Sequence, residues 1–185
     1  MQLAVQDTPI SGLQVVTRGL LIDGRGSFGR LFCADDLGAA GFNTPVAQIN
    51  RSTTSGMGTI RGLHYQFGEA AEVKLVSCTG GSIFDVAVDL RPTSPTFLKW
   101  HGVCLSAENG LALLVPRGCA HGFQVLTEKV EMIYIHSHPY VASAEAGLYA
   151  LDPRLSISWP LPPGLISDRD LNLPTLKVDF AGVDV

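Results

Sequence analysis

The stretch Arg61-Gly62-Leu63-His64-Tyr65-Gln66 reads as a β-strand that carries ionisable side chains among apolar ones. Two further stretches, Val115–Phe123 and Met132–His136, have the same character. Burying a charged group among apolar residues is costly unless the group is paired, and perturbed titratable groups gather where chemistry occurs. These three stretches therefore predict a β-structure whose interior carries a proton-transfer site.

The rest of the chain repeats short apolar runs that are separated by turn residues. The 20 glycines suit that many tight turns. Short strands at regular spacing predict an antiparallel sandwich or barrel, so we expect an all-β fold in a single domain over residues 1–185. Short helices are predicted over Asp35–Ala40 and near Ser167–Asn172. The predicted strands are Leu13–Ile22, Phe28–Cys33, Val46–Arg51, Thr59–Gln66, Val73–Cys78, Ile83–Leu90, Lys99–Ser106, Ala112–Val115, Gly122–Leu126 and Val130–His136.

Composition and charge exclude several classes of protein. The 185 residues are 46% hydrophobic and 16% charged, which is enough apolar material for a large core. The net charge of −4 argues against a nucleic-acid-binding surface. No apolar run reaches membrane-spanning length, and the first residues lack the pattern of a signal peptide. The four cysteines form no Cys-x-x-Cys pair, and three of them lie in apolar, strand-like runs, which suits reduced, buried thiols. We therefore expect a cytoplasmic protein with no membrane or nucleic-acid partner.

The segment Pro116-x-Gly118-x-x-His121 resembles the second motif of the cupin superfamily, whose barrel is a small jelly roll. Metal-binding cupins supply His-x-His from a first motif, whereas this chain has His64-Tyr65-Gln66 there. Lys74 follows closely, and its ammonium would repel a cation in the same cavity. We therefore predict a site without metal. His136 and His138 have a spacing that metal sites also use, but we interpret them as residues at the rim of the barrel.

A narrower resemblance is carried by several motifs in order along the chain. Together they resemble the dTDP-4-dehydrorhamnose 3,5-epimerase family, over about Gly12 to Pro174. The matching segments are Arg61–Gln66, Phe84–Arg91, Ser94–Phe97, Leu105–Asn109, Pro116–Phe123, Asp152-Pro153, Ile157–Pro160 and Ser167–Asp170.

The resemblance implies a cupin-type jelly-roll barrel with a short C-terminal helical segment. It also implies an epimerase that needs no cofactor and acts on a 4-keto-6-deoxyhexose linked to a nucleotide, with dTDP as the expected nucleotide. Family members form homodimers in which the N-terminal strand of one subunit reaches the site of the other. We therefore expect a homodimer with exchanged N-terminal strands.

The chemistry of such an epimerase assigns roles to particular residues. Inverting a carbon next to a ketone needs a base on one face, a stabiliser for the enolate oxygen and an acid on the opposite face. His64 is the predicted base because an imidazole titrates near working pH, and the resemblance assigns Asp170 as its partner. Lys74 is the predicted partner of the enolate oxygen, and Tyr134 is the predicted acid.

The resemblance also implies a set of substrate-binding residues. One departure from the family pattern is Arg30, which stands where a glutamate usually contacts the nucleotide, so the identity of the nucleotide stays open. Whether one or both carbons are epimerised is open as well. The predicted binding residues are Arg25, Phe28, Arg30, Gln48, Asn50, Arg61, His121, Tyr140, Glu145 and Arg169.

Two alternatives and one geometric question follow from the sequence. A related cupin ketoisomerase would move the ketone between carbons 3 and 4 of the same kind of substrate, and a weaker alternative is a sugar-binding or metal-dependent oxygenase cupin.

In a regular strand Arg61 and His64 would point to opposite faces. Either a bulge at Gly62 re-aims the chain so that both reach one site, or Arg61 acts from a bend, and the sequence leaves both explanations open.

Overall fold

The computed structural model of the chain describes residues 2–185, and most of its regular structure is β-strand. The helices in this part of the chain are α1 (Ala34–Gly38) and α2 (Asp168–Leu171). None of the helices among residues 2–185 has the length and hydropathy needed to cross a bilayer. The strands are β1 (Ala4–Asp7), β2 (Gln14–Thr17), β3 (Leu20–Asp23), β4 (Gly26–Gly29), β5 (Gln48–Ser55), β6 (Ile60–Gln66), β7 (Lys74–Gly80), β8 (Ser82–Asp89), β9 (Trp100–Ser106), β10 (Leu111–Val115), β11 (Cys119–Val125), β12 (Lys129–His136) and β13 (Glu145–Gly147).

The strands form two large antiparallel sheets, as a jelly roll requires. One sheet has six strands in the order β1-β2-β10-β7-β12-β5, and the other has five in the order β13-β6-β11-β8-β9. The strands β3 and β4 form a separate two-stranded hairpin. The predicted all-β, cupin-type fold is confirmed.

Both faces of the central strands of each large sheet are covered, which explains the nearly continuous apolar runs of β7, β10 and β11. Val76 and Met132 of the six-stranded sheet share an inner cluster with Ile83 and Phe123 of the five-stranded sheet. On the outer face of the six-stranded sheet, Leu75 packs in a cluster with residues in and after α1. On the outer face of the five-stranded sheet, the C-terminal tail supplies the cover. Each fully buried Leu, Ile or Val contributes roughly 1.5–3 kcal/mol.

The predicted strand Phe28–Cys33 is wrong beyond Gly29. β4 pairs with β3 only as far as Leu20 opposite Gly29, and Cys33 is already the residue that precedes α1. The apolar Phe32 packs edge-on against Phe42, with ring centroids 5.1 Å apart. Its hydrophobicity therefore serves the packing of α1 and not a strand.

The predicted strand Leu13–Ile22 is divided in two by Arg18. The amide of Arg18 donates to the carbonyl of Gly110 at 2.9 Å, and its guanidinium donates to the carbonyls of Gly110 and Leu111. After this anchor the chain leaves the six-stranded sheet as β3. The sequence also missed the short strands β1 and β13, whereas both predicted helices are present in shortened form.

Candidate active site

A cavity of about 960 Å³ is lined by both large sheets. Strands β5, β7 and β12 of the six-stranded sheet contribute residues from one side, and β6, β11, β13 and α2 contribute from the other. Most of the sequence-predicted site residues line it, namely Gln48, Asn50, Arg61, His64, Lys74, His121, Tyr134, Tyr140, Glu145, Arg169 and Asp170. The structure therefore brings eleven of the fourteen predicted residues to one cavity.

A bulge in β6 allows both Arg61 and His64 to line this cavity. His64 is opposite His121 of β11, but Arg61 is opposite Phe123, so β6 holds one more residue than β11 between these two pairs. Gly62 lies at this point with φ of +116°, and a Cβ there would be 2.6 Å from the Cα of Gly122. Of the two explanations that the sequence left open, the structure has the bulge at Gly62, and only glycine fits the close approach.

Asp170 holds both His64 and the bulge in place. One carboxylate oxygen is 2.7 Å from Nε2 of His64, and the other accepts a hydrogen bond from the amide of Gly62 at 3.1 Å. Ser167 caps α2 by accepting from the amide of Asp170. Burial lowers the pKa of His64, and the hydrogen bond with Asp170 offsets this only in part. The imidazole is therefore neutral near pH 7, as a general base must be.

Tyr134 reaches the cavity from the opposite sheet. Its ring lies between two imidazoles, with centroids 6.3 Å from His121 and 6.2 Å from His136. Its hydroxyl is 3.3 Å from the hydroxyl of Ser52, a contact that the sequence did not reveal. Burial raises the pKa of Tyr134 to about 12. The phenol is therefore protonated at neutral pH and can donate a proton.

Lys74 is buried in the cavity wall beside an acid and an imidazole. Its Nζ is 3.0 Å from one carboxylate oxygen of Glu72, and the other oxygen is 2.8 Å from Nδ1 of His136. The placement of His136 at the rim is therefore wrong. β12 extends through His136, which is opposite Lys74 of β7, so its ring lies inside the cavity.

His121 has a fully buried partner that the sequence did not assign. Its Nε2 is 2.7 Å from a carboxylate oxygen of Asp85, whose side chain is 0% exposed. Asp85 is on β8, which is next to β11. An acid in the apolar run Phe84–Val88 was the available signal, because such a group needs a partner when buried.

Tyr140, Glu145 and Arg169 form a hydrogen-bonded set at the more exposed end of the cavity. The hydroxyl of Tyr140 donates to Glu145 at 2.7 Å, and Arg169 pairs with the same carboxylate at 2.6 Å. Burial raises the pKa of Glu145, but the bonds from Arg169 and Tyr140 lower it by more, so the net pKa is below its ordinary value. Gln48 fixes the start of this segment by accepting from the amide of Tyr140 at 3.0 Å.

Comparison with known proteins decides the family. The family model described as dTDP-4-dehydrorhamnose 3,5-epimerase matches residues 7–178. The chain belongs to this family. The Escherichia coli K12 enzyme of that name is 46% identical over 137 residues, which are 74% of each chain. The ketoisomerase alternative is not favoured, since the relatives are epimerases.

Solved structures of family members have the same fold. That of the Bacillus anthracis dTDP-4-dehydrorhamnose 3,5-epimerase, with TDP and pyrophosphate bound, is 38% identical, covers 94% of this chain and 99% of its own, and has a TM-score of 0.89. A 3′-monoepimerase from Streptomyces bikiniensis in complex with dTDP-quinovose is 34% identical, covers 92% of this chain and 86% of its own, and has a TM-score of 0.85. The chain is therefore an isomerase of the epimerase class.

Three predicted binding residues of this epimerase lie away from the cavity of their own chain. Arg25 and Phe28 are in the β3–β4 hairpin, where Arg25 pairs with Asp23 at 2.6 Å. Arg30 follows the hairpin, and its Nη1 is 3.9 Å from a carboxylate oxygen of Asp36. Arg25, Phe28 and Arg30 are therefore not among the residues that line the cavity.

The donor groups of the cavity are arranged as separate hydrogen-bonded pairs. Within residues 2–185, no three side chains of His, Cys, Asp or Glu are grouped so that they could hold an ion. His64, His121 and His136 are each hydrogen-bonded to a different carboxylate. The absence of a metal or cofactor requirement stays a prediction from the sequence.

Proposed function

We propose that this epimerase inverts carbon 3, carbon 5 or both in a nucleotide-linked 4-keto-6-deoxyhexose. The observation that carries the proposal is the opposition of His64 and Tyr134, which lie on different sheets and line the same cavity. One is neutral and paired with Asp170, and the other is a protonated phenol. A base and an acid on opposite sides of a sugar ring are what inversion at an acidic carbon requires.

The proton balance of the reaction can be written with these residues. His64 takes the proton from the carbon next to the ketone and becomes an imidazolium that Asp170 stabilises. The electron pair moves to the ketone oxygen, and the Lys74 ammonium stabilises the resulting enolate. Tyr134 gives its proton to the opposite face of the carbon. Exchange with water then restores the neutral imidazole and the phenol.

The remaining lining residues are proposed to hold the rest of the substrate. Arg61 and His121 are adjacent to the base, so we assign them to the sugar and its first phosphate. Gln48, Asn50, Tyr140, Glu145 and Arg169 lie toward the more exposed end, where we place the pyrophosphate and the nucleoside. The relatives described above support a thymidine nucleotide, since one of them holds TDP and another holds dTDP-quinovose.

We propose that the functional unit is a homodimer with exchanged β3–β4 hairpins. An isolated two-stranded hairpin is marginal in water, and this one exposes Leu21 at 63%, Ile22 at 77% and Phe28 at 67%. Packing on a second subunit would bury these side chains and bring Arg25, Phe28 and Arg30 to its nucleotide pocket. A cytoplasmic location stays a prediction from the sequence.

The test is hydrogen exchange on defined substrates. The purified protein is incubated in deuterium oxide with dTDP-, CDP- and GDP-linked 4-keto-6-deoxyglucose, and deuterium at each sugar carbon is read by NMR. We expect label at carbon 3, carbon 5 or both, together with the inverted product. Label at neither carbon on any of the three nucleotides would contradict the proposal, and migration of the ketone to carbon 3 would show a ketoisomerase instead.

A further inference from the structure

We propose that Glu72 is a positioning residue for the reaction. Its carboxylate keeps the Lys74 ammonium charged and directed into the cavity, and it orients His136 beside that ammonium. The inference rests on the proposed function, because it assigns a purpose to the geometry around the enolate oxygen. Glu72 itself takes no part in the proton transfers.

The contacts of Glu72 use both of its oxygens. Oε1 is 3.0 Å from Nζ of Lys74, and Oε2 is 2.8 Å from Nδ1 of His136. The side chains of Glu72, Lys74 and His136 are 8%, 9% and 12% exposed, so water contributes little to their solvation. All of them line the cavity. The carboxylate therefore joins a cation and an imidazole that face the same space.

A buried lysine needs a counter-ion to stay charged. Desolvation disfavours the ammonium form, and a nearby carboxylate restores it. Removing one partner of a buried pair leaves the other partner as an uncompensated charge, which is strongly unfavourable while that partner stays ionised. Without the carboxylate, the buried Lys74 ammonium would lose the counter-ion that stabilises its charged form. A neutral amine is a much weaker stabiliser of an enolate than an ammonium.

The same carboxylate fixes the tautomer of His136. With Nδ1–H donating to Glu72, the Nε2 atom is the acceptor, and it lies 3.5 Å from Nδ2 of Asn50. The imidazole is stacked on the ring of Tyr134, with an interplanar angle of 25°. Glu72 thereby orients a polar wall next to the proposed acid.

Glu72 is itself ionised near neutral pH. Burial raises its pKa, but the hydrogen bond from His136 and the charge of Lys74 lower it by more, so the net pKa is below the ordinary value. Other ionisable groups near Lys74 are the thiol of Cys119, whose pKa is raised to about 12 by burial, and the groups that line the same cavity. Those lining groups are Arg51, Arg61, His64, Tyr65, His121, Tyr134, Tyr140, Glu145, Arg169 and Asp170. The carboxylate that pairs with Lys74 belongs to Glu72.

The variant Glu72→Gln tests the proposal because it keeps the shape of the side chain and removes the charge. The readouts are the pH profile of kcat/KM for deuterium exchange and, in the ligand-free protein, the pH titration of the Lys74 Cε carbon by NMR. We expect kcat to fall by about tenfold or more with KM nearly unchanged, because oxyanion stabilisation acts in the transition state. The alkaline limb of the profile and the Lys74 titration should both move to lower pH by about one unit or more, while the acidic limb should not move.

Glu69→Gln is the matched control, since Glu69 lies three residues away, is exposed and does not line the cavity. It should match the wild type in both readouts. Glu72→Asp keeps the charge on a shorter side chain, so it should recover most of the Lys74 titration and part of kcat. If Glu72→Gln does not fold, Glu72→Asp is measured in its place.

An unchanged Lys74 titration and an unchanged alkaline limb in a folded Glu72→Gln variant would overturn the proposal. So would recovery of neither readout in Glu72→Asp. A wild-type protein that exchanges no deuterium would instead contradict the proposed function. The Lys74 titration in the ligand-free protein would still test the role of Glu72 in that case.

Discussion

At the scale of single residues, His64 experiences two opposing influences. Burial lowers its pKa, and the hydrogen bond with Asp170 raises it by less. The net result is an imidazole that stays neutral below the usual titration range of histidine. A general base is active only when unprotonated, so the acidic limb of kcat/KM should lie below pH 6.5, the ordinary histidine value.

We expect His64→Asn to reduce deuterium exchange by at least about a hundredfold, which is the usual size of a general-base effect. The fold should persist, because the side chain of His64 lines the wall of a cavity. Exchange at each sugar carbon and the circular dichroism spectrum are the measurements. His138→Asn is the control, since that ring bonds to the neighbouring carbonyl of Pro139 at 2.8 Å and is not among the groups that line the cavity. Exchange at more than about a hundredth of the wild-type rate would remove His64 from the role of base.

Tyr134→Phe should separate two activities that the wild type couples. The variant can still remove a proton through His64, but it cannot return one to the opposite face. Deuterium exchange with retention should therefore outlast net epimerisation. NMR of the recovered substrate gives the label, and chromatography of the product gives the inversion. Equal loss of both activities would assign Tyr134 to binding or packing.

At the scale of single elements, the β6 bulge determines where Arg61 and His64 point. Gly62 combines a positive φ with a close approach to Gly122, whereas Gly68 has φ of +61° and no atom within 4 Å of an added Cβ. Alanine at Gly68 therefore suffers only the backbone strain of about 1 kcal/mol. Alanine at Gly62 suffers strain and a clash with backbone.

We expect Gly62→Ala to lower the free energy of unfolding by about 2 kcal/mol or more beyond the loss in Gly68→Ala, as overpacking of rigid backbone does. It should also lower kcat/KM, because the clash displaces the strand that carries His64. Urea denaturation and the exchange assay measure the two effects. Equal stability of the two variants would mean that the bulge tolerates a side chain.

The outcome for the elements shows what the sequence can predict. Apolar runs with tight turns predicted the sheets, and a short helix was predicted near Ser167–Asn172, where the structure has α2 (Asp168–Leu171). The cap that Ser167 provides for this helix was found only in the structure. Phe32 was misplaced because its run of apolar residues is equally compatible with a strand or with packing on α1. The pairs of His121 with Asp85 and of Glu72 with His136 could not be predicted. They depend on which strands are neighbours, and no local pattern encodes strand order.

Asp89 stabilises the turn after β8 through the hydrogen bonds of its side chain. Its buried carboxylate accepts two bonds from the Arg91 guanidinium at 2.8 Å and one from Thr96 at 2.7 Å. Burial raises the pKa of Asp89, but these bonds lower it by more, so the net pKa is below its ordinary value. A depressed pKa gives stability that is present above the unfolded pKa and is lost as the pH falls through the folded pKa.

Asp89→Asn should therefore destabilise the protein at pH 7 by about 2–4 kcal/mol, the cost of breaking a buried charged network. The difference from the wild type should shrink as the pH falls below the ordinary value of 3.8. Urea denaturation at a series of pH values measures both. A difference that does not depend on pH would show that shape, and not charge, matters at this position.

At the scale of the whole molecule, the residues with predicted functions lie in two places, the cavity and the β3–β4 hairpin. The cavity holds the proposed catalytic residues, whereas Arg25 and Phe28 are on a projecting hairpin with exposed apolar side chains. A dimer of twice the chain mass of 19.7 kDa would reconcile them. In a two-fold dimer each hairpin would complete the cavity of the other subunit.

Mixed dimers give the decisive measurement of this exchange. One chain carries His64→Asn in the cavity, and the other carries Arg25→Ala with Phe28→Ser in the hairpin. Each homodimer should be nearly inactive, because every site lacks either the base or the hairpin contacts. In a mixed dimer the intact hairpin of the first chain completes the intact cavity of the second. With random pairing about half of the dimers are mixed, and each mixed dimer has one complete site out of two. Random pairing should therefore restore roughly a quarter of the wild-type activity. Co-expression with different affinity tags isolates the mixed dimer, and its mass in solution is measured alongside exchange. A monomer with full activity, or mixed dimers as inactive as their parents, would show that the hairpin acts within its own chain.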